Sequence, residues 1–247
     1  HSHAMIVVTP SLKKSGSVWY FNMTNDLHVD AGHDDVRALR HRYGLGGVLL
    51  EDNCRINPNA LNLARVLVPH LRGHTFVVKT HAGPTPSLRL LLAAGAARAT
   101  YIYRDPRDVV LSALDHGARV RKEGRANVLA GLHTVEEAVP YVHTLLRDWE
   151  AWARSPGTLL VRYEDLKADT LAELRRLADF LKLDVAEAVL AAVAAPYQQP
   201  ADDATTKDRL HFNKGVAGRF REAMSADELA LCRRHFGPYL EQMGYAA

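Results

Sequence analysis

Two lysines and several small residues follow the first apolar run of the chain, in the stretch KKSGSVWY at residues 13–20. A strand that leads into a small-residue turn with lysines is the usual start of a phosphate-binding loop. Gly16 permits a sharp turn, the amides of a following helix would face an anion, and Lys14 adds a positive charge. Because Lys14 precedes Gly16, the Walker pattern G-x-x-x-x-G-K-[ST] is absent. A Ser/Gly turn that only caps an amphipathic helix is the alternative.

His81 follows a later apolar run, in the sequence VVKTH. A histidine just beyond a strand end can act as a general base, since its ordinary pKa of about 6.5 lets it accept a proton near neutrality. The chain has 13 histidines, so a surface or core role is the default for any one of them. His70 and His74 are four residues apart but lack the glutamate and the third ligand of a zinc protease. No metal site is predicted.

Arg104 and Ser112 lie in a third polar cluster, YRDPRDVVLS at residues 103–112. An arginine at a strand end can bind a phosphate through two parallel hydrogen bonds. Ser112 would lie about two turns along the helix that starts at Pro106. A surface ion pair between Arg104 and a neighbouring aspartate is the alternative. After the last predicted strand, Tyr163 could stack on a base or simply begin a helix.

Short apolar runs alternate with longer helical patterns along the chain. Near-continuous apolarity predicts parallel strands that are covered on both faces, at residues 6–9, 47–51, 75–80, 100–104 and 158–162. Helical patterns fall at residues 17–27, 58–71, 85–95, 106–120 and 134–154. The alternation predicts an α/β fold, a three-layer sandwich with a central parallel sheet. Ligands of such sheets bind at the carboxyl ends of the strands, where the three polar clusters lie.

The composition narrows the class of protein. Of the 247 residues, 47% are hydrophobic and 24% charged, which is typical of a soluble globular protein. The net charge of +3 suits an anionic small ligand and falls short of a nucleic-acid binder with a clustered basic arm. Cys54 and Cys232 are far apart, which disfavours a disulfide framework or a zinc site and favours the cytoplasm. No apolar stretch approaches the ~18–20 residues that span a bilayer.

The chain ends and the weakly patterned regions give three further expectations. The first four residues, HSHA, are interpreted as an expression scar, and residues 5–247 as a single domain. Residues 196–218 have weak signals for regular structure, and a ligand-covering loop and an ordinary surface loop both remain open. No dimerisation motif is found, so the sequence predicts no oligomeric state.

Five segments, in order, resemble the sulfotransferase family that uses 3′-phosphoadenosine 5′-phosphosulfate (PAPS). KSGSVW is similar to the family's 5′-phosphosulfate loop, and VVKTH to the segment with the catalytic histidine of its cytosolic members. YIYRDPRDVVLS resembles the 3′-phosphate motif, and VRYEDL the strand whose tyrosine approaches the adenine. FNKGVAGRF looks like a weakened form of the late loop R-K-G-x-x-G-D-W. The resemblance covers the chain from about residue 5 to residue 220.

The resemblance implies a P-loop-like phosphosulfate-binding loop and a set of donor-binding residues. These residues would hold the 5′-phosphosulfate, the adenine or the 3′-phosphate, and they are Lys14, Ser15, Gly16, Ser17, Val18, Trp19, Arg104, Ser112, Tyr163, Asn213, Lys214 and Gly215. The product would be 3′-phosphoadenosine 5′-phosphate (PAP).

The resemblance also implies how catalysis would work. His81 would take the proton of an acceptor hydroxyl as its oxygen attacks sulfur in line. Lys14 and Lys79 would stabilise the charge on the bridging oxygen and on the transferred group. No metal is implied, since the lysines supply the positive charge that magnesium gives to kinases. The acceptor would be a small molecule with a hydroxyl, phenol or amine group.

Several residues depart from the family pattern. Lys13 stands where a proline is frequent, and Val18 replaces a hydroxyl residue. Asn213 stands in the place of the loop arginine, and Arg219 and Phe220 replace an aspartate and a tryptophan. These departures put the strength of cofactor binding in question but leave the core of the chemistry intact.

The sequence leaves the acceptor and two competing functions open. A P-loop kinase or nucleotide hydrolase and a non-catalytic nucleotide-binding protein are the alternatives to a sulfotransferase. The acceptor pocket is predicted from residues 22–45, 82–90, 115–140 and 196–212. Within these ranges the segment DHGARVRKEGRAN suggests an acidic or polar acceptor, and its alternative is a solvated helix end.

Overall fold

The computed structural model describes residues 4–198 and 216–246. Within them a parallel sheet contains the strands β1 Ile6–Pro10, β2 Phe76–Thr80, β3 Ala97–Tyr103 and β4 Thr158–Arg162, in the order β2-β1-β3-β4. Every residue of β1 and β2 is buried, so helices cover both faces of the sheet. This arrangement confirms the predicted α/β sandwich. The prediction was correct because continuously apolar strands need cover on both faces.

The helices of the described residues fill the intervals between the strands and the C-terminal part. They are α1 Ser17–Asp30, α2 Val36–Arg42, α3 Ala60–Leu71, α4 Pro86–Ala93, α5 Pro106–Lys122, α6 Val135–Ala153, α7 Tyr163–Ala168, α8 Thr170–Leu181, α9 Glu187–Gln198, α10 Phe220–Ala223 and α11 Ala226–Gln242. A short 3-10 helix, Val128–Gly131, precedes α6. The five predicted helices are all present.

The strand order determines where a ligand can enter. From β1 the chain crosses to β2 on one side, and from β3 it crosses to β4 on the other side. A crevice therefore opens between β1 and β3 at the carboxyl ends of the strands, where such folds bind ligands. The loop after β1 and the start of α5 flank this crevice.

Local signals in the sequence explain why α5 begins beside the crevice. Pro106 occupies the first turn, where its missing N–H costs nothing, and the Asp105 side chain accepts a hydrogen bond from the Arg107 amide. Basic residues in the last turn, Arg119 among them, lie at the negative end of the helix dipole. The cap fixes the start of the helix directly after β3.

The predicted strand at residues 47–51 is wrong. The chain turns there, and the amides and carbonyls of Leu50 and Arg55 bond to each other at 2.9 Å in both directions. Gly46, Gly47 and the Asp-Asn pair that follows favour turns over extended pairing. The Ile56 amide donates to the Lys79 carbonyl at 2.7 Å, which places the turn against the carboxyl end of β2.

Some expectations can be compared only with part of the chain. Helix α9 covers the first residues of the predicted 196–218 loop, and the predicted donor-binding residues Asn213, Lys214 and Gly215 lie outside the described residues. In the described ranges, no helix is both long and apolar enough to cross a membrane. No group of three or more His, Cys, Asp or Glu side chains there could hold a metal ion.

We predict that Gly117→Ala destabilises the protein by about 1–3 kcal/mol, because overpacking forces the backbone to shift. A Cβ atom at Gly117 would lie 2.2 Å from the Leu129 carbonyl oxygen, where α5 contacts the 3-10 helix. The midpoint of urea unfolding measures the loss. Gly237→Ala is the matched control, since Gly237 also lies inside a helix but its Cβ would meet nothing within 4 Å. That control should be neutral or stabilising by up to ~1 kcal/mol, and equal effects of the two substitutions would refute the packing argument.

Candidate active site

A cavity of about 400 Å³ opens at the carboxyl ends of β1, β2 and β3. The predicted site residues that line it are Lys14, Gly16, Ser17, Val18, Trp19, Lys79, His81, Arg104, Ser112 and Tyr163. They come from four separate parts of the sequence, and the parallel sheet brings them together because all its strands end at one edge. Ser15 is fully buried next to them.

The loop after β1 has the tight geometry that its small residues predict. Lys14 and Gly16 both have left-handed backbone conformations, with φ of 71° and 76°. The Ser15 amide closes the turn on the Leu12 carbonyl at 3.2 Å. Gly16 is required for a second reason, since a Cβ there would lie 3.1 Å from the Tyr163 ring.

The start of α1 offers hydrogen-bond donors to an anion. Gly16 is its N-cap, and no side chain of the described residues caps the helix, so its first amides are left for a ligand or water. The Ser15 hydroxyl is buried and has no hydrogen-bond partner within the described part of the chain. Buried hydroxyls are rarely left unpaired, so both features fit a loop that binds an anion.

His81 is held between two side chains. Its Nε2 lies 2.9 Å from Lys79 Nζ, and its Nδ1 lies 3.0 Å from Ser11 Oγ. The Lys79 ammonium can only donate, so Nε2 accepts and the ring hydrogen is on Nδ1, which donates to Ser11. Ser11 was not among the predicted site residues. Its hydrogen bond to Nδ1 holds the orientation of the His81 ring, while Lys79 sets the tautomer.

Burial and neighbouring positive charge shift the pKa values of these groups. Burial lowers the pKa of Lys14 and the pKa of Lys79 from 10.5 to about 8. Burial, and after it the charge of Lys79, lowers the pKa of His81 from 6.5 to about 3. At neutral pH the lysines are therefore charged and His81 is neutral, with an unprotonated Nε2 as a base requires.

Arg104 is buried beside the cavity and is not on the surface. Its guanidinium donates to Asp108 at 3.1 Å and to the Val216 carbonyl, and it lies over the Tyr163 ring at 4.8 Å. The Arg104 Nε atom is buried, and no hydrogen-bond partner exists for it among the described residues. Ser112 lies two turns along α5 and lines the same cavity. Arg104 and Ser112 therefore line one cavity, although they are eight residues apart.

Asp108 connects this region to the late segment that departs from the family pattern. Its carboxylate accepts hydrogen bonds from the amides of Gly218 at 2.6 Å and Phe220 at 3.2 Å. Arg219 pairs with Asp115 at 2.9 Å, and the Arg107 guanidinium lies 4.0 Å from the centre of the Phe220 ring. Arg219 and Phe220, which depart from the family pattern, thus contact side chains of α5.

Several lining residues were not predicted as site residues. They are Glu51, Asn53, Arg55, His116, Arg119, Leu129 and Val216, together with Lys13 and Arg219, which were noted only as departures. Glu51, Asn53 and Arg55 reach the cavity because the turn after Leu50 packs against β2. The wrong prediction of a strand at residues 47–51 did not indicate this contact. His116 and Arg119 are three residues apart and share a helix face with Ser112, so helical periodicity could have indicated them. Of the four acceptor ranges, 115–140 contributes to the described lining, 22–45 and 82–90 do not, and most of 196–212 lies outside the described residues.

The comparisons with known proteins agree with this geometry. The family model "Sulfotransferase domain" matches residues 3–244. No curated protein matches the sequence significantly. A similar solved structure is the crystal structure of mouse sulfotransferase SULT7A1 complexed with PAP, with a TM-score of 0.62 and 15% sequence identity. The match covers 96% of this chain and 85% of the mouse chain.

A second similar crystal structure is retinol dehydratase in a complex with retinol and PAP. It is 18% identical and has a TM-score of 0.58, over 95% of this chain and 81% of that one. A further structure of retinol dehydratase, with androsterone and PAP, has a TM-score of 0.57 at 16% identity, over 95% of this chain and 80% of that one. At these identities the similar structures establish the fold, and the family match covers nearly the whole sequence. The chain therefore belongs to the sulfotransferase family, as its five motifs predicted.

Proposed function

We propose that the protein transfers the sulfuryl group of PAPS to a hydroxyl, phenol or amine group of a small acceptor. One observation carries the proposal: Lys14, Lys79 and His81 line a single cavity together with Arg104 and Ser112. The family match supports sulfuryl transfer. The PAP in the similar crystal structures supports PAPS as the donor, and their retinol and androsterone support a small-molecule acceptor.

The donor-binding residues fit a ligand with two anionic ends. Lys14 and the uncapped amides of α1 would hold the 5′-phosphosulfate, with Ser17 and Val18 contributing backbone donors. Arg104 and Ser112 would hold the 3′-phosphate, and the unpaired Arg104 Nε is a donor for it. Trp19 and Tyr163 are in edge-to-face contact at 5.9 Å and would border the adenine.

His81 would act as the general base. When bound, PAPS supplies a sulfuryl group whose bond to the 5′-phosphate oxygen breaks while the acceptor oxygen bonds to sulfur. His81 Nε2 would accept the acceptor's proton, and Ser11 would keep the ring oriented through Nδ1. The donor's negative charge, placed beside Lys79, would raise the pKa of His81 from its low resting value. His81 would therefore be a stronger base when the donor is present.

Lys14 and Lys79 would supply the electrostatic stabilisation. Both ammonium groups lie in a largely desolvated site, where a fixed charge has a larger effect than in water. To bind an oxygen of the transferred group, Lys79 would exchange its hydrogen bond to His81. That exchange leaves the Nε2 lone pair available for the acceptor proton.

We predict that PAP raises the melting temperature of the protein, because a ligand of the native state stabilises it by mass action. PAP should bind more tightly than AMP, which lacks the 3′-phosphate. Ser112→Ala should weaken PAP binding about tenfold and leave AMP binding unchanged, since one hydrogen bond to a charged group is lost. Calorimetric titration measures both affinities.

The same measurements separate the competing functions. Stabilisation by ATP with magnesium but not by PAP would contradict the sulfotransferase proposal and favour a P-loop kinase or nucleotide hydrolase. Binding of PAP without sulfate transfer to any of a panel of acceptors would favour a non-catalytic nucleotide-binding protein.

We predict that His81→Ala lowers turnover by about 10²- to 10⁴-fold, the usual contribution of a general base, while PAP still binds. Lys14→Ala should abolish most transfer and also weaken PAP binding, because its charge serves both steps. Release of labelled sulfate from PAPS to an acceptor measures turnover. His41→Ala, an exposed histidine in α2, is the control and should retain full activity. Wild-type turnover in His81→Ala would remove His81 from the mechanism.

We predict that PAP affinity begins to fall as the pH rises above 8. The lowered pKa values of Lys14 and Lys79, both about 8, mean that the charged forms dominate below that pH and are lost above it. Titration calorimetry between pH 7 and 9.5 measures the change. Lys79→Arg should reduce the fall, since a guanidinium stays charged throughout this range. The same pH dependence in Lys79→Arg and the wild type would show that the charge of Lys79 does not contribute to PAP binding.

A further inference from the structure

Helix α5 presents a second basic group to the cavity, formed by His116 and Arg119, which have no role in the proposed function above. Ser112, His116 and Arg119 follow at intervals of four and three residues, so they share one face of the helix, and all three line the cavity. At the helical rise per residue, Arg119 lies about 10 Å further along α5 than Ser112. The second group is therefore separate from the Arg104 and Ser112 end of the cavity.

Arg119 differs from the other arginines of the cavity wall. Arg55 pairs with Glu51 at 2.8 Å, Arg104 with Asp108 and Arg219 with Asp115. No carboxylate in residues 4–198 and 216–246 pairs with Arg119. Its charge is therefore not neutralised by an ion pair in the described part of the chain.

The contact that Arg119 does make leaves most of its donors for a ligand. Arg119 Nη2 lies 2.8 Å from His116 Nδ1 and donates to it. Burial, and after it the charges of Lys14 and Arg119, lowers the pKa of His116 to about 4, so the ring is neutral at neutral pH. A guanidinium has five N–H donors and binds a carboxylate through two of them. His116 thus orients Arg119 without neutralising its charge.

The surroundings favour the acceptor over the donor as the ligand of this group. Arg119 is exposed at its end of the cavity, and its charge is among the causes that lower the pKa of Lys14, which would bind the transferred group. Leu129 lines the same cavity. A molecule that enters from solvent could therefore place an apolar body against Leu129 and an anionic group against Arg119.

We propose that the acceptor carries an oxyanion, such as a carboxylate, and that Arg119 binds it, with His116 as the residue that positions the guanidinium. The inference rests on the proposed function, because it needs Lys14, Lys79 and His81 to define where the sulfuryl group is transferred. It names the class of acceptor: a hydroxy acid or another hydroxyl compound with an anionic group. The basic segment 115–127 then takes part in substrate recognition and is not only a solvated helix end.

The experiment measures binding of matched probes to the protein saturated with PAP. The probes are 4-hydroxyphenylacetate and 4-hydroxybutyrate, each compared with its neutral amide. Calorimetric titration should give at least about tenfold tighter binding of one of the carboxylates, as a charge-assisted hydrogen-bond pair predicts. Arg119→Met should remove that preference and leave amide binding unchanged, and Arg119→Lys should retain part of it. Lys122→Met, an exposed lysine on the same helix that does not line the cavity, should behave like the wild type.

Three results would overturn the proposal. The wild-type protein with PAP could bind the amides as tightly as the carboxylates, or bind none of the probes. Arg119→Met could lower PAP affinity by as much as it lowers carboxylate affinity, which would make Arg119 a donor-binding residue. The proposed function fails separately and earlier: in that case the wild-type protein would not bind PAP before any acceptor probe is added.

Discussion

The hydrogen bond between Lys79 Nζ and His81 Nε2 joins the two properties on which the site depends, positive charge and an unprotonated histidine. Burial alone would lower the pKa of each group, and their proximity lowers the pKa of His81 further. The same charges attract an anionic ligand, whose own charge then offsets them. With its pKa lowered, His81 is neutral at neutral pH, and under the proposed mechanism the bound donor would make it a stronger base.

The parallel sheet makes this arrangement possible. Lys79 lies in β2 and His81 directly after it, the Lys14 loop follows β1, and Arg104 follows β3. These three strands are neighbours in the sheet. Their carboxyl ends meet at one edge, so residues far apart in sequence share one cavity without long loops. Asp108 connects the cavity to the C-terminal segment. Its buried carboxylate accepts hydrogen bonds from Arg104 and from the amides of Gly218 and Phe220.

Much of the fold was readable from local pattern, and the exceptions have physical reasons. The four strands of the sheet are short apolar runs followed by polar residues. The start of α5 is indicated by its N-cap Asp105 and by Pro106 in its first turn. The apolar residues of 47–51 produced the same signal, but the glycines before them and the Asp-Asn pair after them favour a turn. Side-chain pairing was not readable: Ser11 and His81 are 70 residues apart and meet only because β1 pairs with β2.

The sequence by itself determined the fold class, the family and the residue types at each strand end, because these follow from apolar periodicity and from motifs within short segments. Only the tertiary structure shows the shifted pKa values of the site and the position of Arg119 on the cavity wall. The lowered pKa values of Lys14, Lys79 and His81 come from burial, which no local pattern measures. Arg119 is distinguished from other surface arginines only by facing the cavity and by its lack of a carboxylate partner in the described part of the chain, since charge becomes informative only when its neighbours are known.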